Sequence, residues 1–296
     1  MSLAQRVYTI YLGCAIPYRV SSYEVSARKV LSKLGVELVE MPDFNCCGLP
    51  LEPLSHDLML ILSARNLAIA EQVGLSILTL CPGCSGTLKK TNRLLKEDKK
   101  VREEVNKYLG ETGLEFKGGI EVKHISQVLL EEIGLDKIRE AVVRPLRGLK
   151  VAGHSGCHLS RPKKYIGFED PENPKALRAL IEVTKAKCVE YAGETECCGS
   201  TIAAIDEKIS LSLVREKLLH VKEVGVDALI TICPACHIMY EANQIRVERM
   251  FGEKYEIPVL HYTQLLGLAM GMQPEDLGFN ELRVKPTKIL ECIGEA

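Results

Sequence analysis

Ser76-Ile77-Leu78-Thr79-Leu80-Cys81-Pro82-Gly83-Cys84 and Ala228-Leu229-Ile230-Thr231-Ile232-Cys233-Pro234-Ala235-Cys236 are two copies of one pattern, an apolar run of strand length that ends in Cys-Pro-x-Cys. Working outward, each copy is preceded by a Cys-Cys-Gly triplet, Cys46-Cys47-Gly48 and Cys197-Cys198-Gly199, and each triplet by a single cysteine, Cys14 and Cys157. Gly74 and Gly225 end the preceding helical stretches at equivalent places. Self-similarity over this many positions reads as a duplicated domain. The halves meet at Arg144-Pro145-Leu146-Arg147-Gly148, which divides the chain into 1–146 and 147–296. The second half carries extra residues between its first cysteine and its triplet, expected in a loop over 161–174, where insertion is tolerated.

Apolar periodicity then places the cysteines. Short apolar runs at 7–12, 36–41 and 76–80 predict strands, and Ala27, Val30, Leu31 and Leu34 keep helical spacing behind Ser21-x-x-Glu24, which has the form of a capping box. A second helix is expected over 58–73. In the other half the same order returns: a strand at Val151, a helix from Lys175, a strand at 188–191, a helix over 206–224 and a strand at 228–232. Strands alternating with helices predict an α/β fold of two pseudo-symmetric Rossmann-like domains with parallel sheets. The single cysteine, the triplet and the Cys-Pro-x-Cys all follow strand C-termini, the edge at which open parallel sheets hold ligands.

Composition narrows the function. With 46% hydrophobic and 26% charged residues the chain can fill two cores, and a formal net charge of -1 supplies no global field for nucleic acid. No basic-then-apolar leader stands at the start, and the least polar stretch, 257–274, is broken by His261, Gln264, glycines and two prolines, so a cytoplasmic chain without a membrane span is expected. Twelve cysteines in such a compartment point to metal binding or thiol chemistry, because the cytosol keeps thiols reduced.

Five cysteines per half is an informative number. Structural zinc takes four ligands, so zinc would leave one thiol over in each half, whereas a multi-iron cluster can engage a fifth. Cys-x-x-Cys lets two sulfurs from one tight turn reach one metal or two adjacent irons, with Pro82 and Pro234 stiffening that turn. The ferredoxin run C-x2-C-x2-C-x3-C is absent, as are G-x-G-x-x-G and G-x-x-x-x-G-K-[ST], so no flavin or nucleotide site is expected and electrons must come from another protein.

With these residues in view, the chain resembles the B subunits of heterodisulfide reductase, duplicated CCG-domain iron-sulfur proteins, over about residues 7–272. The resemblance implies one unusual, non-cubane [4Fe-4S] cluster per half, ligated by Cys14, Cys46, Cys47, Cys81 and Cys84 and by Cys157, Cys197, Cys198, Cys233 and Cys236. It implies reduction of the coenzyme M-coenzyme B disulfide to two thiols, methanogenesis as the setting, and electrons arriving from an iron-sulfur C subunit and a flavin-containing A subunit, with a hydrogenase or formate dehydrogenase module behind them. The two-fold repeat suggests a disulfide seated between the two clusters.

Other residues are weighed against plainer roles. His154, beside the ligand candidate Cys157, is the candidate proton donor to a leaving thiolate, with His158 and His237 behind it; each is set against a histidine bonded to backbone. Arg19, Arg161, Lys163 and Lys164 follow ligand cysteines and could meet a sulfonate or phosphate, against solvated surface charge. His124-x-Ser126-Gln127 and His261-x-Thr263-Gln264 read as helix starts, and His56 and His220 as ordinary helix or surface residues. Cys188 and Cys292 lack repeat partners and stay outside the cluster set. Two competing functions remain: a CCG electron-transfer subunit of a quinone-linked or glycolate-oxidase-like complex, and a zinc or cluster scaffold.

Overall fold

A computed structural model describes residues 6–294. The leader reading therefore rests partly on residues 1–5, which lie outside the described residues. Each half forms a four-stranded, wholly parallel sheet. β1 (Arg6–Tyr11), β2 (Val36–Val39), β3 (Ile77–Thr79) and β4 (Val122–His124) lie in the order β2-β1-β3-β4. β5 (Lys150–His154), β6 (Lys187–Val189), β7 (Ala228–Thr231) and β8 (Val259–His261) repeat it as β6-β5-β7-β8. The order reverses at β1 and at β5, which opens a crevice beyond the strand C-termini in each half. The α/β, duplicated, parallel architecture expected from the repeat is what forms.

Several local expectations fail for physical reasons. β2 stops at Val39 instead of reaching Met41, because Pro42 cannot donate to the ladder and restricts the residue before it. Ser21-x-x-Glu24 is not a capping box. The helix Ser21–Lys33 has Val20 at its N-cap and no side-chain cap of its own; Glu24 instead pairs with Arg28. Glu281, from the far end of the chain, takes over the role, accepting from Ser22 N at 3.1 Å and Ser21 Oγ at 2.8 Å. A carboxylate there also suits the positive end of the helix dipole.

The Cys-Pro-x-Cys segments are not free turns. They open the helices Pro82–Glu97 and Pro234–Glu241, with Cys81 and Cys233 at the N-caps and proline in the first turn, where its missing N–H costs nothing.

The halves share one core. A single apolar cluster takes in Tyr8, Leu31 and Leu78 from the first half and Ile230, Leu260 and Leu265 from the second. Each such side chain, fully buried, contributes roughly 1.5–3 kcal/mol relative to exposure, so neither half keeps its core alone. The connection at 144–148 is packed rather than loose: Leu146 is fully buried, and its N–H donates to the Thr184 carbonyl at 2.9 Å. The insertion at 161–174 is docked too. Its helix Lys163–Ile166 lies on the helix Pro82–Glu97 of the first half, where Arg93 and Lys89 donate to the carbonyls of Lys164 and Ile166. Crossing in the other direction, the helix Ser21–Lys33 packs on Tyr262–Ala269, and Tyr23 Oη donates to the Ile232 carbonyl at 3.1 Å.

Candidate functional site

Strand ends and helix starts bring ten thiols into one series of neighbours. In the first half Cys14 follows β1, the triplet follows β2 and Cys81 and Cys84 follow β3. Hydrogen-bonded neighbours run Cys14, Cys46, Cys47, Cys84, Cys81. The second half repeats this as Cys157, Cys197, Cys198, Cys236, Cys233. Cys81 and Cys233 are themselves neighbours, so the two series meet. Cys14 is exposed at one end, Cys46, Cys81, Cys157 and Cys197 are half-buried, and Cys47, Cys84, Cys198, Cys233 and Cys236 are buried.

All twelve cysteines are free. Cys188 sits behind the second sheet, 3.5 Å from where a Cβ on Gly153 would stand, and Cys292 Sγ lies 3.6 Å from the Arg147 carbonyl. Neither joins the series. Among the described residues no group of three or more His, Cys, Asp or Glu is arranged to hold a single metal ion.

Thiols this close compete for protons. Cys46, bonded by Cys14 and Cys47, is held down to about 2, and Cys197, bonded by Cys157 and Cys198, likewise to about 2. Their partners Cys14, Cys47, Cys157 and Cys198 are pushed up by the same bonds. Gly48 N and Gly199 N donate to Cys46 Sγ at 3.5 Å and Cys197 Sγ at 3.4 Å, further favouring the thiolates. A series of neighbouring sulfurs in which Cys46, Cys81 and Cys197 are held as thiolates while their partners keep their protons is suited to positive metal centres.

Backbone close to the sulfurs makes room for such a group. Gly13 and Gly156 stand just before the first cysteine of each half with φ of +67° and +80°. A Cβ on Gly13 would come 2.9 Å from Cys84 Sγ, and one on Gly156 would come 3.4 Å from Cys236 Sγ. Neither glycine stands out in the sequence, although Gly-Cys occurs at both positions. Five thiols per half, thiolate-favouring amides and glycine-lined approaches fit an iron-sulfur cluster.

The histidines are placed as follows. His154 pairs in register with Thr231, as Tyr11 does with Thr79, so the two occupy equivalent positions. Tyr11 Oη donates to the Asn45 carbonyl at 2.6 Å; His154 Nδ1 donates to the Glu194 carbonyl at 3.2 Å. Each tethers the loop leading to its triplet. His154 is buried edge-on against Tyr240, and burial drops it to about 3, so its ring is neutral at pH 7. His237 stacks on His261, which stacks on Tyr23, all buried. His158 is half-buried.

His124 and His261 open helices as expected, their N–H groups donating to Gln127 and Gln264 Oε1 at 3.3 and 2.9 Å. Arg19, Lys163 and Lys164 are exposed, whereas Arg161 lines a cleft beside Cys157 and donates to the Pro171 carbonyl at 2.7 Å.

Burial holds the His124 ring down to about 4. Below an unfolded value near 6.5 the unfolded chain takes up a proton that the folded ring refuses. Its contribution is therefore full above that value and declines as pH falls toward 4, by ~2 kcal/mol at pH 5. Urea unfolding of His124→Asn, which keeps a capping side chain, should lose that share of the difference between pH 7 and pH 5; an unaltered difference would refute it.

The comparisons with known proteins agree with this geometry. The cysteine-rich domain family CCG matches residues 8–89 and again 151–241. The chain is 38% identical over 291 residues to the B subunit of the ferredoxin/F(420)H(2)-dependent CoB-CoM heterodisulfide reductase of Methanosarcina acetivorans, covering 97% of both chains. It is 28% identical to the 8-methylmenaquinol:fumarate reductase membrane anchor subunit of Wolinella succinogenes, over 96% of this chain and 99% of that one. In fold it resembles the crystal structure of a hypothetical protein from Helicobacter pylori, with a TM-score of 0.76, 17% identity, and coverage of 95% of this chain and 52% of that chain. Among the described residues no helix is long and apolar enough to cross a membrane.

Proposed function

The chain belongs to the family of heterodisulfide reductase B subunits, built on two CCG cysteine-rich domains, and from that premise we propose that it reduces a disulfide within an electron-transfer complex. That it is an iron-sulfur redox subunit working with other subunits follows from the family. The finer reading is that the domains at 1–146 and 147–296 each hold one non-cubane [4Fe-4S] cluster on their five thiols. The observation that carries this is the meeting of Cys81 with Cys233, which brings two equivalent thiol sites side by side.

The clusters would supply electrons one at a time, whereas a disulfide takes two electrons and two protons to give two thiols. Two adjacent sites allow both electrons to be at hand at one bond. The chain's own residues bind and orient: Cys14 and Cys157 line the solvent side, Gly13 and Gly156 let backbone approach the sulfurs, and Tyr11 and His154 hold the loops before the triplets. In this reading His154 is a positioning residue, because a neutral buried ring bonded to backbone is a poor acid. Coenzyme M-coenzyme B disulfide is the proposed substrate, with a C-type iron-sulfur subunit and an A-type flavin subunit as partners and the cytoplasm as location.

The likeness to the fumarate reductase subunit favours a second reading, an electron relay in a quinone-linked complex. Anaerobically purified chain, given a reduced viologen dye and the disulfide, should oxidise two dye molecules and release two thiols per disulfide. Iron-loaded protein that releases no thiol under those conditions would leave the relay as the function.

A further inference from the structure

The helices behind the two triplets differ in one buried charge. Asn66 and Lys217 stand the same number of residues after the helix N-caps Ser55 and Asp206, on the helices His56–Gln72 and Glu207–Glu223 behind the triplets. Both are enclosed, Asn66 at 0% and Lys217 at 1% exposure. Asn66 accepts from Asn45 N at 2.9 Å and donates to the Cys46 carbonyl at 3.4 Å. Lys217 Nζ donates to the Gly193 carbonyl of the corresponding loop and lies 5.2 Å from the centre of the Tyr191 ring. One backbone task is thus done by a neutral amide in the first half and by an ammonium in the second.

A lysine without carboxylate hydrogen bonds is rarely buried merely to hold one carbonyl. Burial lowers it to about 8, against the attraction of Glu196, Cys236, Glu194 and Cys198, so it stays mostly charged at pH 7. Its carboxylate neighbours are more open: Glu196 is exposed, and Glu194 is paired with Arg178 at 3.3 Å. Water and Arg178 screen those acids, whereas the ammonium acts on Cys236 and Cys198 through low-dielectric interior.

We propose that Lys217 makes the C-terminal thiol site the better electron acceptor, so that the first electron from a one-electron donor settles there and the N-terminal site, with Asn66, is reduced second. Adding an electron to a thiolate-ligated cluster adds negative charge. A fixed cation favours that step, and an amide without net charge favours it far less. The inference rests on the reading that each half holds a cluster, and it gives the pseudo-symmetric halves different roles in the same reaction.

The test is an anaerobic redox titration of the loaded chain followed by electron paramagnetic resonance. Cys157→Ser identifies which signal belongs to the C-terminal half. In the wild type the C-terminal midpoint should lie above the N-terminal one. Lys217→Met should lower the C-terminal midpoint by at least about 59 mV, a tenfold change in a one-electron equilibrium, and leave the N-terminal midpoint in place. Lys217→Arg should restore it.

A wild type whose N-terminal site is reduced first, or a methionine variant in which neither midpoint or both move, overturns the proposal. Should the methionine variant shed its iron, the wild-type order alone decides. Iron-bearing protein with unshifted potentials sinks only this inference; a wild type that binds no iron sinks the cluster reading with it.

Discussion

Cys84→Ser should strip the N-terminal half of its iron, leave the C-terminal half loaded and abolish disulfide reduction. Cys84 is the fourth of the five in its series, bonded to Cys47 on one side and Cys81 on the other, and it is buried. A serine hydroxyl stays protonated near neutrality and is a hard, weak ligand where thiolate sulfur is the natural partner of iron-sulfide cores. Iron per chain should therefore fall to about half, with Cys236→Ser giving the mirror result. Elemental analysis decides this: iron unchanged in both variants, or one zinc per half in the wild type, would remove the cluster reading. Activity should vanish rather than halve, because two electrons must reach one bond.

Gly48→Val should be nearly as damaging without touching a thiol. Gly48 has φ of +85°, and a Cβ there would lie 2.8 Å from Met59 Cα and 2.9 Å from the Met59 carbonyl. Those are backbone atoms of the helix His56–Gln72 and cannot swing aside. A left-handed conformation costs an L-residue ~1–2 kcal/mol, and overpacking adds ~1–3, so a loss of about 3 kcal/mol or more is expected. The turn also aims Gly48 N at Cys46 Sγ, so iron occupancy should fall with stability. Gly74→Asn is the control, since Gly74 has φ of +67° with nothing within 4 Å of a new Cβ, and Asn tolerates that region. Denaturant unfolding with parallel iron analysis reads both; a valine variant of normal stability and iron content would contradict the account.

What was legible in the sequence was what repeats locally. The ten cysteines, the duplicated order and the strand-end positions are written in short motifs and in apolar runs such as 76–80 and 228–232, because strand period and turn chemistry act over a few residues. The same local logic misreads Ser21-x-x-Glu24, whose capping competitor is Glu281, and it leaves His154 open between a proton donor and a backbone-bonded ring, because the burial against Tyr240 and the bond to the Glu194 carbonyl come from distant segments. Gly13 and Gly156 carry no local signal because their constraint is a sulfur brought in from another strand.

The sequence by itself determined that this protein carries five cysteines on each of two α/β halves, since those cysteines belong to motifs that each sit at one strand end. Only the tertiary structure decided that the sites touch through Cys81 and Cys233, that the halves share one core, and that a buried ammonium stands behind one site and an amide behind the other. Those features depend on packing between segments far apart in the chain, and contacts at that range follow from shape and burial, which no local pattern encodes.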